Sequence, residues 1–388
     1  MMNTKTKYGV LFPVLLSFFV MSFVDMVGIG VDRVKADMNL SSSAAQLIPS
    51  AAFLWFLLLS VPVGIVQSRI GKKFMLNIGM AVTALGMLLP FLVYSFPMVL
   101  TGFALLGIGN TIVQVSANPL LVDVVPVSRT SSFLSFSQFI KAIGSMIAPP
   151  LAALLAARFG DWKLLFLVFG AVSVLSVLWL ASVTIDETPS VIKATPRTVF
   201  KLLGNSFVLI MVLSIFVVVG VDVGFNSNSG QFLMQRYGFM QEAAESGRSI
   251  YFLGRMAGTL FGALLLTRIA SVKFYMWTSV LGIFSFIILL ILPAEVARAA
   301  VWALVFITGL AVANIFPLVF SITVRAFPER SSEISGLMMM AISGGAVFPL
   351  LMGWISDISN VTWGMSVMVV CMVLLLGSAI VAMRKGIQ

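Results

Sequence analysis

Twelve apolar runs, separated by short polar segments, recur along the 388 residues of this chain and leave few options for its fold. A run of about 20 residues crosses a hydrocarbon layer ~30 Å thick as a helix. A segment surrounded by lipid must satisfy its own backbone donors and acceptors, and a helix does so within itself. Only 10% of the residues are charged and 60% are hydrophobic, against roughly a quarter charged in an average soluble domain. No water-soluble core absorbs such a surplus, so the expectation is an all-α integral membrane protein.

The runs fall at Tyr8 to Gly30, Gln46 to Gln67, Phe74 to Val93, Met98 to Val122, Ser131 to Ala156 and Leu164 to Thr184, then at Phe207 to Met234, Ser249 to Thr267, Phe274 to Leu292, Ala299 to Val324, Ser332 to Ile355 and Trp363 to Met383. The longest polar stretch, Ile185 to Asn205, separates two sets of six. The expected organisation is a six-helix bundle over 1–184, a cytoplasmic linker over 185–206 and a second six-helix bundle over 207–388. Basic residues precede the first run but no small-residue cleavage pattern follows it, so a retained first span is expected.

A net charge of +10 in a soluble protein would suggest nucleic acid. Here the cations sit in short loops, where they report orientation. Alternating the loops puts fifteen Lys and Arg on one side, including Lys5, Lys7, Arg69, Lys72, Lys73, Arg129 and Lys193, and seven on the other, among them Arg33, Lys35 and Arg248. The positive-inside bias then predicts both termini and the central linker in the cytoplasm, and the expected location is the cell (inner) membrane. The chain has no histidine and one cysteine, Cys371, so no internal disulfide or Cys/His metal cluster is possible. It carries no Walker loop and no nucleophile elbow, which disfavours an ATP-driven pump or a membrane hydrolase. No catalytic residue, metal or cofactor is expected, and the driving force would be a proton or a sodium gradient. The expected partners are a small polar solute and the lipid bilayer, with the chain acting as a monomer.

The second half repeats the first at a shift of about 200 residues. Ser68-Arg69-Ile70-Gly71-Lys72-Lys73-Phe74 answers to Thr267-Arg268-Ile269-Ala270-Ser271-Val272-Lys273-Phe274, and Val24-Asp25 to Val221-Asp222. Asn118 and Asn314 each precede an arginine by eleven positions, and Pro149 answers to Pro349. Six spans per copy give both copies the same orientation, related by an axis along the membrane normal. Such halves can rock about a central site.

Charges inside spans cost ~2.5–3.5 kcal/mol each unless paired or hydrated. Read from hydropathy, they are Asp25, Lys141, Asp222 and Arg255. With no histidine present, proton coupling is expected at Asp25 or Asp222. Residues three or four apart share a helix face, which groups Asn110, Gln114 and Asn118, then Gln138, Lys141 and Ser145, then Asp222, Asn226 and Ser229. Amides and hydroxyls offer donors and acceptors together, as a polyhydroxylated solute requires. The expected substrate contacts are Gln114, Asn118, Gln138, Lys141, Asn226, Asn228 and Asn314. Interhelical amide bonding is the alternative for each, and a structural ion pair is the alternative for Asp25 with Lys141. Arg255 could instead snorkel or pair with an acid.

These residues resemble the major facilitator superfamily over the whole chain. Gly64-Ile65-Val66-Gln67-Ser68-Arg69-Ile70-Gly71-Lys72-Lys73 is similar to its cytoplasmic signature, with Ser68 where an Asp is usual, and implies cytoplasmic gating by Arg69, Lys72 and Lys73. Gln114-Val115-Ser116-Ala117-Asn118-Pro119, Gly254-Arg255, Asn314-Ile315-Phe316-Pro317 and Gly344-Gly345-Ala346-Val347-Phe348-Pro349 resemble the fucose permease branch of sugar:proton symporters. The resemblance implies a coupling Asp at Asp25 and a substrate Gln at Gln138. The branch's span-four Glu is Gln114 here and its span-five Asn is Lys141, so the solute could be an acidic sugar. The implied function is proton-coupled import of a sugar or sugar derivative by alternating access. Efflux of drugs or metabolites is the alternative, on a partial match of Gly144 to Pro150 to an antiporter signature, and a sensor or scaffold is a third.

Overall fold

The structure is a computed structural model that describes residues 8–126, 130–187, 196–266 and 268–385. Lys5, Lys7, Arg129, Lys193 and Thr267, used above for orientation and repeat, lie outside the described residues. Every element is helical: α1 (Tyr8–Met21), α2 (Val27–Met38), α3 (Ser42–Ala45), α4 (Leu47–Ile70), α5 (Lys72–Leu92), α6 (Phe96–Val124), α7 (Thr130–Phe159), α8 (Leu164–Ser182), α9 (Pro196–Lys201), α10 (Ser206–Tyr237), α11 (Gln241–Leu265), α12 (Ser271–Ile291), α13 (Arg298–Val312), α14 (Ile315–Ala326), α15 (Ser331–Met340), α16 (Gly344–Ile358) and α17 (Val361–Arg384), with short 3-10 turns between some of them.

Eleven spans among the described residues are long and apolar enough to cross a membrane. The remaining span, eighth in order, is α11, 25 residues long and therefore able to cross at 1.5 Å per residue. It falls short only in apolar character, because it carries Glu242, Glu245, Arg248 and Arg255.

Four spans are broken among the described residues, the second only near its start, at Gln46 between α3 and α4. The first runs as α1, a 3-10 turn over Ser22–Met26, and α2. The tenth divides at Asn314 into α13 and α14. The eleventh divides at the 3-10 turn Ala341–Ser343 into α15 and α16. Local chemistry marks the ends of other spans. The Asn205 side chain accepts from the backbone N–H groups of Phe207 and Val208 and starts α10, and Asn360 does the same for α17. Gly238, with φ of +64°, ends α10 in the left-handed conformation.

Two boundaries differ from the hydropathy reading. The first span continues past Gly30 to Met38 and takes Asp32, Arg33 and Lys35 into the helix, and the eighth begins at Gln241, so that Glu245 and Arg248 are helical too. Hydropathy ends a span at its first charges. These helices run on because the charges find partners on neighbouring helices.

The contacts divide the chain into two compact units, one of residues 1–26 and 54–193 and the other of residues 27–53 and 194–388. Residues 27–53, which the hydropathy reading groups with the first bundle, therefore cluster with the second. In the first unit α5 and α6 pack along their length and α8 covers α5. In the second, α11 lies on α13, and α10 packs against α16 and α17.

Candidate functional site

In the first unit the site is built on the break in span one. A 3-10 turn interrupts the regular i to i−4 ladder, and a carbonyl left over inside a membrane needs another donor. Asn110 of α6 supplies one, donating from Nδ2 to the Met21 carbonyl at 2.7 Å, while its Oδ1 accepts from Gln114 at 2.9 Å. The turn presents Asp25, a half-buried carboxylate. Ser145 of α7 donates to Asp25 Oδ2 at 2.5 Å, and its hydroxyl also lies 3.2 Å from the Lys141 carbonyl one turn earlier. The approach of α7 to this turn needs Gly144, where a methyl group would overlap the Ser22 hydroxyl. Asp25, Ser145, Asn110 and Gln114 thus converge through one turn, with Lys141 on the helix that provides Ser145. Asn118 and Lys141 are half-buried and Gln138 is exposed.

In the second unit both oxygens of Asp222 are engaged by α11. Arg255 Nη1 pairs with Oδ2 at 2.7 Å and the Tyr251 hydroxyl donates to Oδ1 at 2.8 Å. Tyr251 and Arg255 lie four apart, on one helix face. Arg255 also lies beside the Phe252 ring, 6.0 Å from its centroid. The pair is partly accessible, with 31% of the Arg255 side chain and 22% of the Asp222 side chain exposed.

The other three amides expected to meet solute, Asn226, Asn228 and Asn314, are buried in this unit. Asn228 donates to the Gly224 carbonyl at 3.0 Å and accepts from Gln46 at 2.9 Å. The backbone carbonyl of Asn226, not its side-chain amide, accepts from Arg248 Nε at 2.7 Å. Asn314 donates to the Gly258 carbonyl at 2.7 Å and sits in the groove left by Gly258 and Gly262 of α11. Small residues at four-residue spacing let helices approach closely in this way.

Sequence reasoning missed the most deeply buried charges. Asp32 of α2 accepts from Arg248 Nη2 and, at 3.0 Å, from Gln231 Nε2 of α10. Arg33 makes two contacts with Glu245, at 2.5 Å and 2.8 Å. Asp32, Arg248 and Glu245 are each at most 1% exposed. The set of span charges read from hydropathy is corrected by these residues. A signal was present: Glu245 and Arg248 are three apart, and Asp32 is seven after Asp25, so each pair shares a helix face.

The signature between spans two and three is tied down within the first unit. Lys72 Nζ pairs with Asp123 at 2.6 Å. Glu187 accepts from the backbone N–H groups of Lys72 and Lys73, at 2.5 Å and 3.1 Å, and so caps α5. Lys73 Nζ donates to the Val183 carbonyl at 2.6 Å, Ser68 turns its hydroxyl back to the Ile65 carbonyl, and Arg69 is exposed.

Comparison with known proteins places these features in a family. Residues 13–348 match the family described as Major Facilitator Superfamily. A glucose/galactose transporter of Brucella abortus is 26% identical over 395 residues, covering 95% of this chain and 93% of that protein. A bacterial homologue of the human lysosomal transporter Spinster superposes with a TM-score of 0.79 at 17% identity, covering 98% of each chain. The E. coli fucose:proton symporter FucP does so with a TM-score of 0.68 at 17% identity, over 96% of this chain and 98% of that one. The two structures share the fold.

Proposed function

This chain belongs to the major facilitator superfamily and is a multi-pass membrane transporter rather than an enzyme, and we propose that it imports a sugar or sugar derivative together with protons. The observation that carries the proposal is the seat of Asp25: a half-buried carboxylate at a mid-span break, met by a neutral hydroxyl. A hydroxyl donates to a carboxylate and accepts from a carboxylic acid, so Ser145 suits both protonation states. Asp222 has a guanidinium on one oxygen and a phenol on the other, and we assign it to organising α10 against α11. The name of the Brucella relative, a glucose/galactose transporter at 26% identity, supports a sugar as the solute.

In this reading Asp25 takes a proton from the outer side, the solute binds through Gln114, Gln138 and Lys141, and alternating access releases both inside. Lys141 extends the range of solutes to acidic sugars. The protein works as a monomer in the cell membrane with both termini cytoplasmic, and arginines and lysines of the span two to three loop act on the cytoplasmic side.

The test is uptake into proteoliposomes of neutral, amino and acidic sugars under separate proton and sodium gradients. Expected are accumulation driven by a pH gradient in the parent and its loss in Asp25→Asn with counterflow retained. Full accumulation by Asp25→Asn would overturn the assignment. Oriented vesicles decide between import and efflux.

A further inference from the structure

Arg255 sits near the middle of α11, and its surroundings fix the side on which it is accessible. A methyl group on Gly254 would overlap the Phe306 carbonyl, and one on Gly258 would lie 2.7 Å from the Leu310 carbonyl oxygen. The turn that bears Arg255 is therefore seated closely on α13, as small residues allow. Leu253, Leu260 and Leu264, the exposed leucines of this stretch of α11, lie about 140–180° around the helix from Arg255 at 3.6 residues per turn. Arg255 thus points away from the side that meets lipid, yet 31% of its side chain is exposed. A charge carried inside a span in this way faces the bundle interior or a water-filled space.

Asp222 is the other half of this opening. Of the described residues from Gly220 to Gly230 on α10, it alone is not buried. Its Oδ2 meets Arg255 Nη1 at 2.7 Å and its Oδ1 accepts from the Tyr251 hydroxyl at 2.8 Å. Where α10 and α11 are accessible together, a donor therefore stands beside an acceptor. A guanidinium has five N–H donors and a carboxylate about four lone-pair sites, more than the two groups satisfy within one pair. The ligand group that suits them follows from charge. A carboxylate accepts from Arg255 but is repelled by Asp222, and an ammonium donates to Asp222 but is repelled by Arg255. A hydroxyl accepts from the one and donates to the other, with no net charge.

We propose that Arg255 and Asp222 form a solute subsite of the second unit, which holds a hydroxyl group of the sugar by donating from Arg255 and accepting at Asp222. The ion pair persists when solute binds, so the contact that organises α10 against α11 also reads the solute. The subsite selects an uncharged hydroxyl at that point of the sugar over a carboxylate or an amine. It rests on the chain carrying a sugar and is independent of the coupling ion.

The experiment measures the concentrations of D-glucose, D-galactose and the monodeoxy analogues of each that half-saturate counterflow in proteoliposomes of the full chain. In the parent, one monodeoxy analogue is expected to be at least about ten-fold weaker than its sugar, as the loss of a hydrogen bond to a charged group entails. In Arg255→Met the complete sugar weakens to within about 3-fold of that analogue, while the analogue itself changes by less than about 3-fold. Asp222→Asn leaves the charge of Arg255 uncancelled, and the uronate of the same sugar is then expected to gain at least about ten-fold on the neutral sugar. An arginine that only supports the fold would lower the melting temperature and leave the ratios among the sugars as in the parent. Parental ratios in Arg255→Met, or an unchanged uronate preference in Asp222→Asn, would overturn the subsite alone. Counterflow of neither glucose nor galactose by the parent would overturn the sugar assignment and the subsite with it. Size-exclusion profiles identify a variant that fails to fold, and the other variant then decides.

Discussion

Gly230→Ala isolates the buried charge pair with a single methyl group. Gly230 lies within α10, and an added Cβ would overlap the Asp32 carboxylate and come within 2.6 Å of Arg248 Nη2. Both groups are almost fully buried, so neither can move to solvent without carrying its helix along. Two effects compete. Alanine in a helix interior is worth ~1 kcal/mol over glycine, while disrupting a buried ion pair costs ~3–5 kcal/mol. The net is a destabilisation of roughly 2–4 kcal/mol, read as a lower melting temperature in detergent. Gly377→Ala is the control, since nothing lies within 4 Å of its added Cβ in α17, and it should match or exceed the parent by up to ~1 kcal/mol. Repeating Gly230→Ala in an Asp32→Ala background removes the overlapping carboxylate. The second substitution should then cost at least ~2 kcal/mol less than it does alone. A Gly230→Ala protein that melts at or above the parent temperature would refute the claim that this close approach holds the pair.

The other expectations concern sites away from that pair. Lys72→Met leaves Asp123 buried without its cation and should cost ~3–5 kcal/mol, measured by thermal unfolding, with a smaller loss when Asp123→Leu is added. Asn314→Ala removes the donor to the Gly258 carbonyl and should lower stability by about 0.6–2 kcal/mol; a large change in solute affinity with no change in melting would assign Asn314 to the solute instead. Tyr251→Phe removes one of two partners of Asp222 and should cost roughly 1.5–3 kcal/mol, checked by melting beside Arg255→Lys, which keeps the charge but not the planar fork.

Hydropathy alone determined that this chain is a bundle of membrane helices, because an apolar run of that length in lipid has only one way to satisfy its backbone. It also picked out Asp25, since a carboxylate in the middle of such a run is costly and therefore few are kept. Spacing grouped Gln114 with Asn110 and Lys141 with Ser145, and the structure keeps both groups on single helix faces. The breaks that give these residues their geometry were not legible. A 3-10 turn at Ser22–Met26 depends on Asn110 being present on another helix to take up the Met21 carbonyl, and nothing in the local sequence records that partner.

The same limit explains the buried charges. Asp32, Arg33, Glu245 and Arg248 look like loop residues because a charge in isolation ends an apolar run. Only tertiary structure sets the acid of one helix against the base of another, more than 200 positions away, and only then can a helix continue through them. Composition and periodicity thus determine what each segment can become on its own in lipid. Pairing between distant segments decides where the helices end and which charges they can hold.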